Sequence, residues 1–210
     1  MVARVVVVGF EDMQALDLIG PLDVFSAASV VAGRPLYHTI AAAVRGGRRR
    51  ISCGLSVGMR DLRRIEPRNG DTVIIVGGPT AAVASALVEP ELVDWLRGAV
   101  PVATRIASVC TGAFVLAATG LLARKRVVTH WSDCELLAHR FPDLTVDRDA
   151  IFVHDGVVWT SAGASAGMDM ALAMVEEDHG RSIADKVAAR LVLYMRRPGY
   201  QLQLSDALVA

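Results

Sequence analysis

Val102-Ala103-Thr104-Arg105-Ile106-Ala107-Ser108-Val109 runs without a break into Cys110-Thr111-Gly112-Ala113-Phe114-Val115-Leu116-Ala117-Ala118-Thr119-Gly120. The first eight residues read as a buried strand and residues 113–120 as an apolar helix, with no loop-forming cluster between them. A strand that turns into a helix within one or two residues lifts the residue at the turn above the sheet, and that residue is Cys110. Outward from this elbow the same alternation repeats. Val5-Val6-Val7-Val8 closes on Gly9, and Asp71-Thr72-Val73-Ile74-Ile75-Val76 closes on Gly77-Gly78-Pro79; both have the continuous β-branched character of strands covered on two faces. Further strands are expected at 37–44 and 127–129, a short hairpin at 51–59, and two strands within 145–161 turning at Asp155-Gly156. Helices are expected at 21–32, opened by Pro21 and ended by Gly33, and at 80–88, 90–98, 132–140 (capped by Ser132), 163–179 and 182–194. In the last of these, Ile183, Val187, Leu191 and Tyr194 recur at helical spacing. Strands alternating with helices predict one α/β domain, a three-layer sandwich whose mainly parallel, twisted sheet carries helices on both faces.

Composition agrees with that reading. The hydrophobic fraction is 53% of 210 residues, which suits a sheet buried on both sides. The longest apolar stretch, 106–122, is broken by Ser108, Thr111, Gly112, Thr119 and Gly120, so no stretch matches the roughly 20 residues a bilayer needs, and no membrane contact is expected. Met1-Val2-Ala3-Arg4 leads straight into a strand with none of the layout of a signal peptide, so the expected location is the cytoplasm. The three cysteines, Cys53, Cys110 and Cys134, are widely spaced, and reduced thiols are expected there. Lys and Arg number 22 and so do Asp and Glu; with zero net charge and mixed signs, this chain is not expected to grip nucleic acid by itself. The basic knot at 45–50 reads as a solvated hairpin turn. His38, His139, His154 and His179 lack metal-type spacing, and no metal or cofactor is expected.

Ligands of doubly wound sheets bind beyond the carboxyl ends of the strands. Three such ends carry chemistry here: Gly9 with the loop to Asp17, the Gly77-Gly78-Pro79 turn, and the elbow at Cys110. A thiol at a helix start feels the positive end of the peptide dipoles, which predicts a lowered pKa. The N–H of Thr111 and one from the Gly77-Gly78 turn are the expected oxyanion donors. A buried packing thiol is the alternative that position alone leaves open for Cys110. Cys53 and Cys134, neither of which is expected to begin a helix after a strand, read as packing or incidental thiols.

Residues 108–122, followed by Val128-Thr129-His130-Trp131, together with Asp17-Leu18-Ile19-Gly20-Pro21-Leu22-Asp23-Val24-Phe25 and Gly77-Gly78-Pro79, resemble the ThiJ/PfpI (class I glutamine amidotransferase-like) superfamily. The likeness spans nearly the whole chain. It is narrower still to the branch shared by isonitrile hydratases and the N-terminal domains of GlxA-like AraC-type regulators. The resemblance implies a flavodoxin-like layering, with Cys110 as nucleophile, Asp17 as general acid/base and Thr111 as a positioning group. Protease-like members carry a His directly after the Cys; Thr111 stands there instead, so neither a protease nor a glutaminase is expected. His130 is the nearest histidine by sequence, either lining the site or serving a structural role. Arg196-Arg197-Pro198-Gly199 followed by Tyr200-Gln201 is similar to the junction that in those regulators precedes a helix-turn-helix domain. Residues 1–197 are thus expected to form the domain. Residues 198–210 would be a linker and the start of a further region, with Ser205 or Asp206 capping a helix begun by Ala207-Leu208-Val209-Ala210. The implied function is that of a ligand-sensing, dimerising domain with a small-molecule partner and a second copy of itself, meeting DNA only through a C-terminal domain outside these 210 residues. The alternative is an isonitrile hydratase-like enzyme.

Overall fold

Val5, Val6, Val7 and Val8 have no solvent exposure, which for consecutive residues of alternating direction requires cover on both faces of the strand. The computed structural model describes residues 2–205; the expected cap at Asp206 and the apolar start at 207–210 lie outside them. The strands are β1 (Ala3–Val8), β2 (Tyr37–Ala43), β3 (Gly47–Arg50), β4 (Ser56–Asp61), β5 (Thr72–Ile75), β6 (Arg105–Val109), β7 (Arg126–Val127), β8 (Thr145–Val146), β9 (Phe152–Asp155) and β10 (Val158–Ser161). Eight form one sheet in the order β3-β4-β2-β1-β5-β6-β10-β9. The six inner strands are mutually parallel, and β3 and β9 close the two edges antiparallel. The mainly parallel α/β sandwich expected from the sequence is the observed architecture.

Helices α1 (Ala15–Val31), α6 (Ser165–His179) and α7 (Arg181–Arg190) pack together on one side. Helices α2 (Thr80–Leu87), α3 (Pro90–Ala99) and α4 (Gly112–Ala118) pack together on the other, and α5 (Cys134–Arg140) lies against β8. Register is what positions the site. Val8 pairs with Ile75, Ile75 with Ser108, and Ser108 with Thr160, so four strands release their chains at one level. At the opposite end, Arg4 grips the buried Asp71 with Nε and Nη2 at 2.8 and 2.5 Å, tying the starts of β1 and β5. A pair so buried is costly to break from one side.

Several local expectations are corrected. The first helix starts at Ala15, not at Pro21, and Pro21 lies inside it. Burial of Leu18, Val24 and Phe25 along α1 outweighs the local penalty of a proline in a helix. The basic knot at 45–50 is only partly a turn: Gly47–Arg50 forms the edge strand β3, opposite β4. Residues 127–129 do not join the main sheet, and β7 pairs only with β8. Ser132 does not cap α5 but sits within a 3-10 turn, Trp131–Asp133, and donates its hydroxyl hydrogen to Asp133. The last helix stops at Arg190, leaving Tyr194 wholly exposed.

Gly112 shows how tightly α4 is set against the sheet. A Cβ there would lie 2.5 Å from the Ile75 carbonyl oxygen and 2.8 Å from that of Val76, so backbone would have to move. Gly112→Ala is expected to lower stability by about 1–3 kcal/mol. Gly98→Ala, on α3 with nothing within 4 Å of the added carbon, is expected to raise it by about 0.4–1 kcal/mol. Urea unfolding of the two variants checks the pair.

Candidate active site

Cys110 follows β6 directly and has φ +55°. A left-handed non-glycine residue costs about 1–3 kcal/mol and persists only where its surroundings hold it. Here they do. The Cys110 N–H donates to the Ser161 carbonyl at 3.0 Å, and the Thr129 hydroxyl donates to the Cys110 carbonyl at 2.9 Å. Two glycines wall the side chain: a Cβ on Gly163 would fall 2.7 Å from Sγ, and one on Gly77 2.9 Å from the Cys110 Cβ. Gly163 has φ +104°, so both its backbone angle and its space exclude a side chain.

Asp17, in the first turn of α1, has no solvent exposure. Its carboxylate accepts the Ala164 N–H at 2.8 Å on one oxygen and the Gly77 N–H at 3.1 Å on the other. The first donor is the residue capping the start of α6 and the second lies in the turn after β5. Burial pushes Asp17 up to about 6, against the lowering effect of the two N–H groups and of the neighbouring Cys110 thiol. The thiol is pushed up to about 12, first by burial and then by the Asp17 charge; the N–H and hydroxyl of Thr111 act the other way. The lowered thiol pKa expected from the helix start is therefore corrected. Helix α4 has only seven residues, and loss of water together with a carboxylate alongside outweighs its dipole.

Thr111 is locked to the turn after β5. Its hydroxyl donates to the Gly78 carbonyl at 2.8 Å and accepts the Gly78 N–H at 2.9 Å. The Gly77-Gly78 turn thus spends its donors on Asp17 and Thr111, and the expectation that it presents an N–H to an oxyanion is corrected: these donors hold side chains in place. His130 directs its ring nitrogen Nδ1 to the Ser132 hydroxyl at 2.8 Å and caps the 3-10 turn, beside the half-exposed Trp131. Its contacts are those of a local turn. Cys53 is exposed, and Cys134 is buried, opening α5 after a 3-10 turn and not after a strand.

The structure thus brings together Cys110, Asp17, Thr111, Gly77 and Gly78. Sequence reading missed Gly163, Ala164 and Thr129. Ala164, with φ +44°, opens α6 as abruptly as Cys110 opens α4, and the small-residue run Ala162-Gly163-Ala164 after a strand was the available signal. Among the described residues no group of three or more His, Cys, Asp or Glu side chains is placed to hold a metal ion. Thr111 also lines a cleft of about 50 Å³ with Val83, Phe114, Asp133 and Leu136, and a roomier cavity of about 300 Å³ is lined by Phe10, Asp12, Val44, Arg49, Ala82 and Leu92 among others.

The arrangement can hold one proton between an acid and a thiol, and it has a sign in solution. Between its ordinary 3.8 and about 6, Asp17 holds more protons folded than unfolded. Its contribution to stability is then fully present below about pH 4 and lost as pH rises past about 6. The stability of the protein relative to its Asp17→Asn variant is expected to fall by roughly 2 kcal/mol from pH 4 to pH 7. Urea unfolding at several pH values reads this, and a difference that does not change with pH would mean that the carboxyl titrates as if exposed.

Comparison with known proteins gives this constellation its context. Over 171 residues the chain is 37% identical to the HTH-type transcriptional regulator GlxA of Rhizobium meliloti, covering 77% of this chain and 49% of the regulator, so it spans about half that protein's length. It is 31% identical over 182 residues to the isonitrile hydratase of Pseudomonas putida, covering 87% of this chain and 75% of the enzyme. The fold matches the crystal structure of a ThiJ/PfpI family protein from Pseudomonas syringae with a TM-score of 0.82 at 24% identity, over 94% of this chain and 78% of the other. The DJ-1/PfpI family model matches residues 3–177, and the chain belongs to that family.

Proposed function

We propose that this chain is the ligand-sensing, dimerising part of an AraC-type transcriptional regulator, with a small metabolite binding at Cys110 and Asp17. In this reading residues 1–197 form the sensor, and residues 198–210 begin the connection to a DNA-binding region. The observation that carries it is the pair of hydrogen-bonded routes leading from the site to the segment after α7. On one side, Ala164 holds Asp17, and the next residue, Ser165, accepts the Arg197 guanidinium at 2.8 Å. The buried Asp169 grips Arg197 as well, through its backbone N–H at 3.0 Å and its Nε at 2.9 Å. On the other side, Thr129 holds the Cys110 carbonyl, and its own carbonyl accepts Gln203 Nε2 at 3.1 Å. Between these points residues 199–203 bond along 149–152. A ligand that moves Asp17 or the elbow acts on both anchors, and so on whatever the segment carries.

A second reading rests on Asp17 and Cys110 as a proton-sharing pair. In an isonitrile hydratase-like reaction, Asp17 takes the thiol proton, sulfur attacks the terminal carbon of R–NC, and the proton is returned to that carbon. Water then adds and releases R–NH–CHO with the thiol restored. Thr111 would position the attacking group. The high thiol pKa counts against fast turnover, because little thiolate is present near neutral pH.

In a Cys53→Ser background, carboxamidomethylation of Cys110 stands in for an occupied site. Amide hydrogen exchange of residues 197–203 is expected to speed up about tenfold, which corresponds to about 1.4 kcal/mol of weakened anchoring. Unchanged exchange would count against the sensor reading. Separately, incubation with an alkyl isonitrile is expected to yield no more N-alkyl formamide than the Cys110→Ala variant does. Formamide formed steadily and lost in that variant would move the conclusion to the enzyme.

A further inference from the structure

Along the flank of the sheet beside β4, from Arg60, in register with Ala42, to Arg4 and His38 at the starts of β1 and β2, a depression of about 350 Å³ is lined by Arg4, Arg60, Arg63, Arg64, Arg68 and His38. The sole carboxylate side chain in its lining is Glu66, and its floor is the buried pair Ile40 and Ile65. Its five guanidiniums divide into two kinds. Arg4 is held by Asp71, and Arg63 by both oxygens of Asp61 at 3.0 and 2.8 Å, so these two are fixed parts of the wall. Arg60 and Arg68 make no side-chain ion pair or hydrogen bond among the described residues. Arg64 only approaches Asp61, at 3.8 Å, with its side chain 87% exposed. Two unengaged guanidiniums and a third held only by one long, exposed ion pair, around one concave floor in a chain of zero net charge, give a local excess of positive charge.

We propose that this depression is a binding site for a small polyanion carrying two or more linked phosphates. A planar guanidinium pairs with phosphate oxygens through two parallel hydrogen bonds. A single carboxylate or monophosphate engages one such fork well and leaves the others repelling each other. A diphosphate or triphosphate engages several at once and relieves that repulsion. The volume lies at the lower end of the range of small-molecule pockets, which is about 300–1,000 Å³. It is a cup and not a track, so it fits a compact ligand better than the regularly spaced phosphates of a duplex. The apolar floor gives room for a flat or aliphatic group attached to the phosphates. The site shares no residue with the Cys110 constellation and does not depend on the function proposed for it.

The test is calorimetric titration of the whole chain with inorganic triphosphate, pyrophosphate and orthophosphate at about 150 mM salt, where exposed charges further apart than roughly 8 Å are screened. Triphosphate and pyrophosphate are expected to bind one to one, at least about tenfold more tightly than orthophosphate. The double variant Arg60→Gln/Arg68→Gln is expected to lose about tenfold or more, and so is Arg64→Gln to a smaller degree, each checked for native circular dichroism. Arg190→Gln, an exposed arginine on α7 outside the depression, is expected to bind as the unmodified chain does. The proposal is overturned by absence of triphosphate binding, by equal affinity for orthophosphate, or by affinity unchanged in the double variant. It is also overturned if duplex DNA competes for the same arginines more strongly than triphosphate.

Discussion

A carboxylate sealed from water and held by two backbone N–H groups is the constraint around which this end of the molecule is built. Asp17 reaches its position from α1, and its donors come from the turn after β5 and from the start of α6. Three separate chain segments therefore have to arrive at one point. A buried carboxylate without such donors would be far too costly. With them it becomes a fixed charge beside a thiol that has nowhere else to go, since Gly77 and Gly163 close in on Cys110 from two sides. The level register of β1, β5, β6 and β10 makes that convergence possible, and the burial of their apolar faces stabilises the register.

Much of this was legible in the sequence because the responsible signals are local. The β-branched runs at Val5–Val8 and at Thr72–Ile75 are continuous, and the elbow at Cys110 has no residues to spare for a loop. Asp17, Thr111, Gly77 and Gly78 were found through motifs, and the structure brings them together. What was missed depends on partners distant in sequence. Pro21 reads locally as a helix start, but the burial of Leu18 and Val24 continues the helix through it. Ala164 reads as an ordinary residue near a helix start. Only the distant Asp17 gives its N–H a role. The thiol pKa was misjudged in direction for the same reason: the dipole of α4 is visible in the sequence, while the desolvation that outweighs it is a property of the packed site.

Strain is distributed in a way that bears on function. Cys110 and Ala164 are both non-glycine residues with positive φ, Cys110 directly after β6 and Ala164 directly before α6, each in a short strand-to-helix turn. Their surroundings hold them through bonds that run onward: Thr129 to the elbow and to Gln203, and Ser165 and Asp169 to Arg197. Local strain of about 1–3 kcal/mol per residue is of the size of a typical coupling free energy between sites. Relaxing either residue on ligand binding would therefore release enough to change how firmly residues 197–203 are held.

The same proton-sharing pair serves a sensor and an enzyme differently. For catalysis the thiol must ionise, and its rise to about 12 works against that until a substrate displaces or protonates the neighbouring carboxylate. For binding, the resting state is an advantage. An ionised Asp17 beside a neutral thiol offers a hydrogen-bond acceptor in a dry setting, where a matching donor gains more than it would in water. A ligand carrying an N–H or a positive charge would satisfy Asp17 and lower the cost of its burial. An apolar isonitrile leaves that cost unchanged unless it reacts. These electrostatics are the ones the proposed sensor reading asks for: a buried acceptor at Asp17 beside a neutral thiol, with hydrogen bonds leading from that site to residues 197–203.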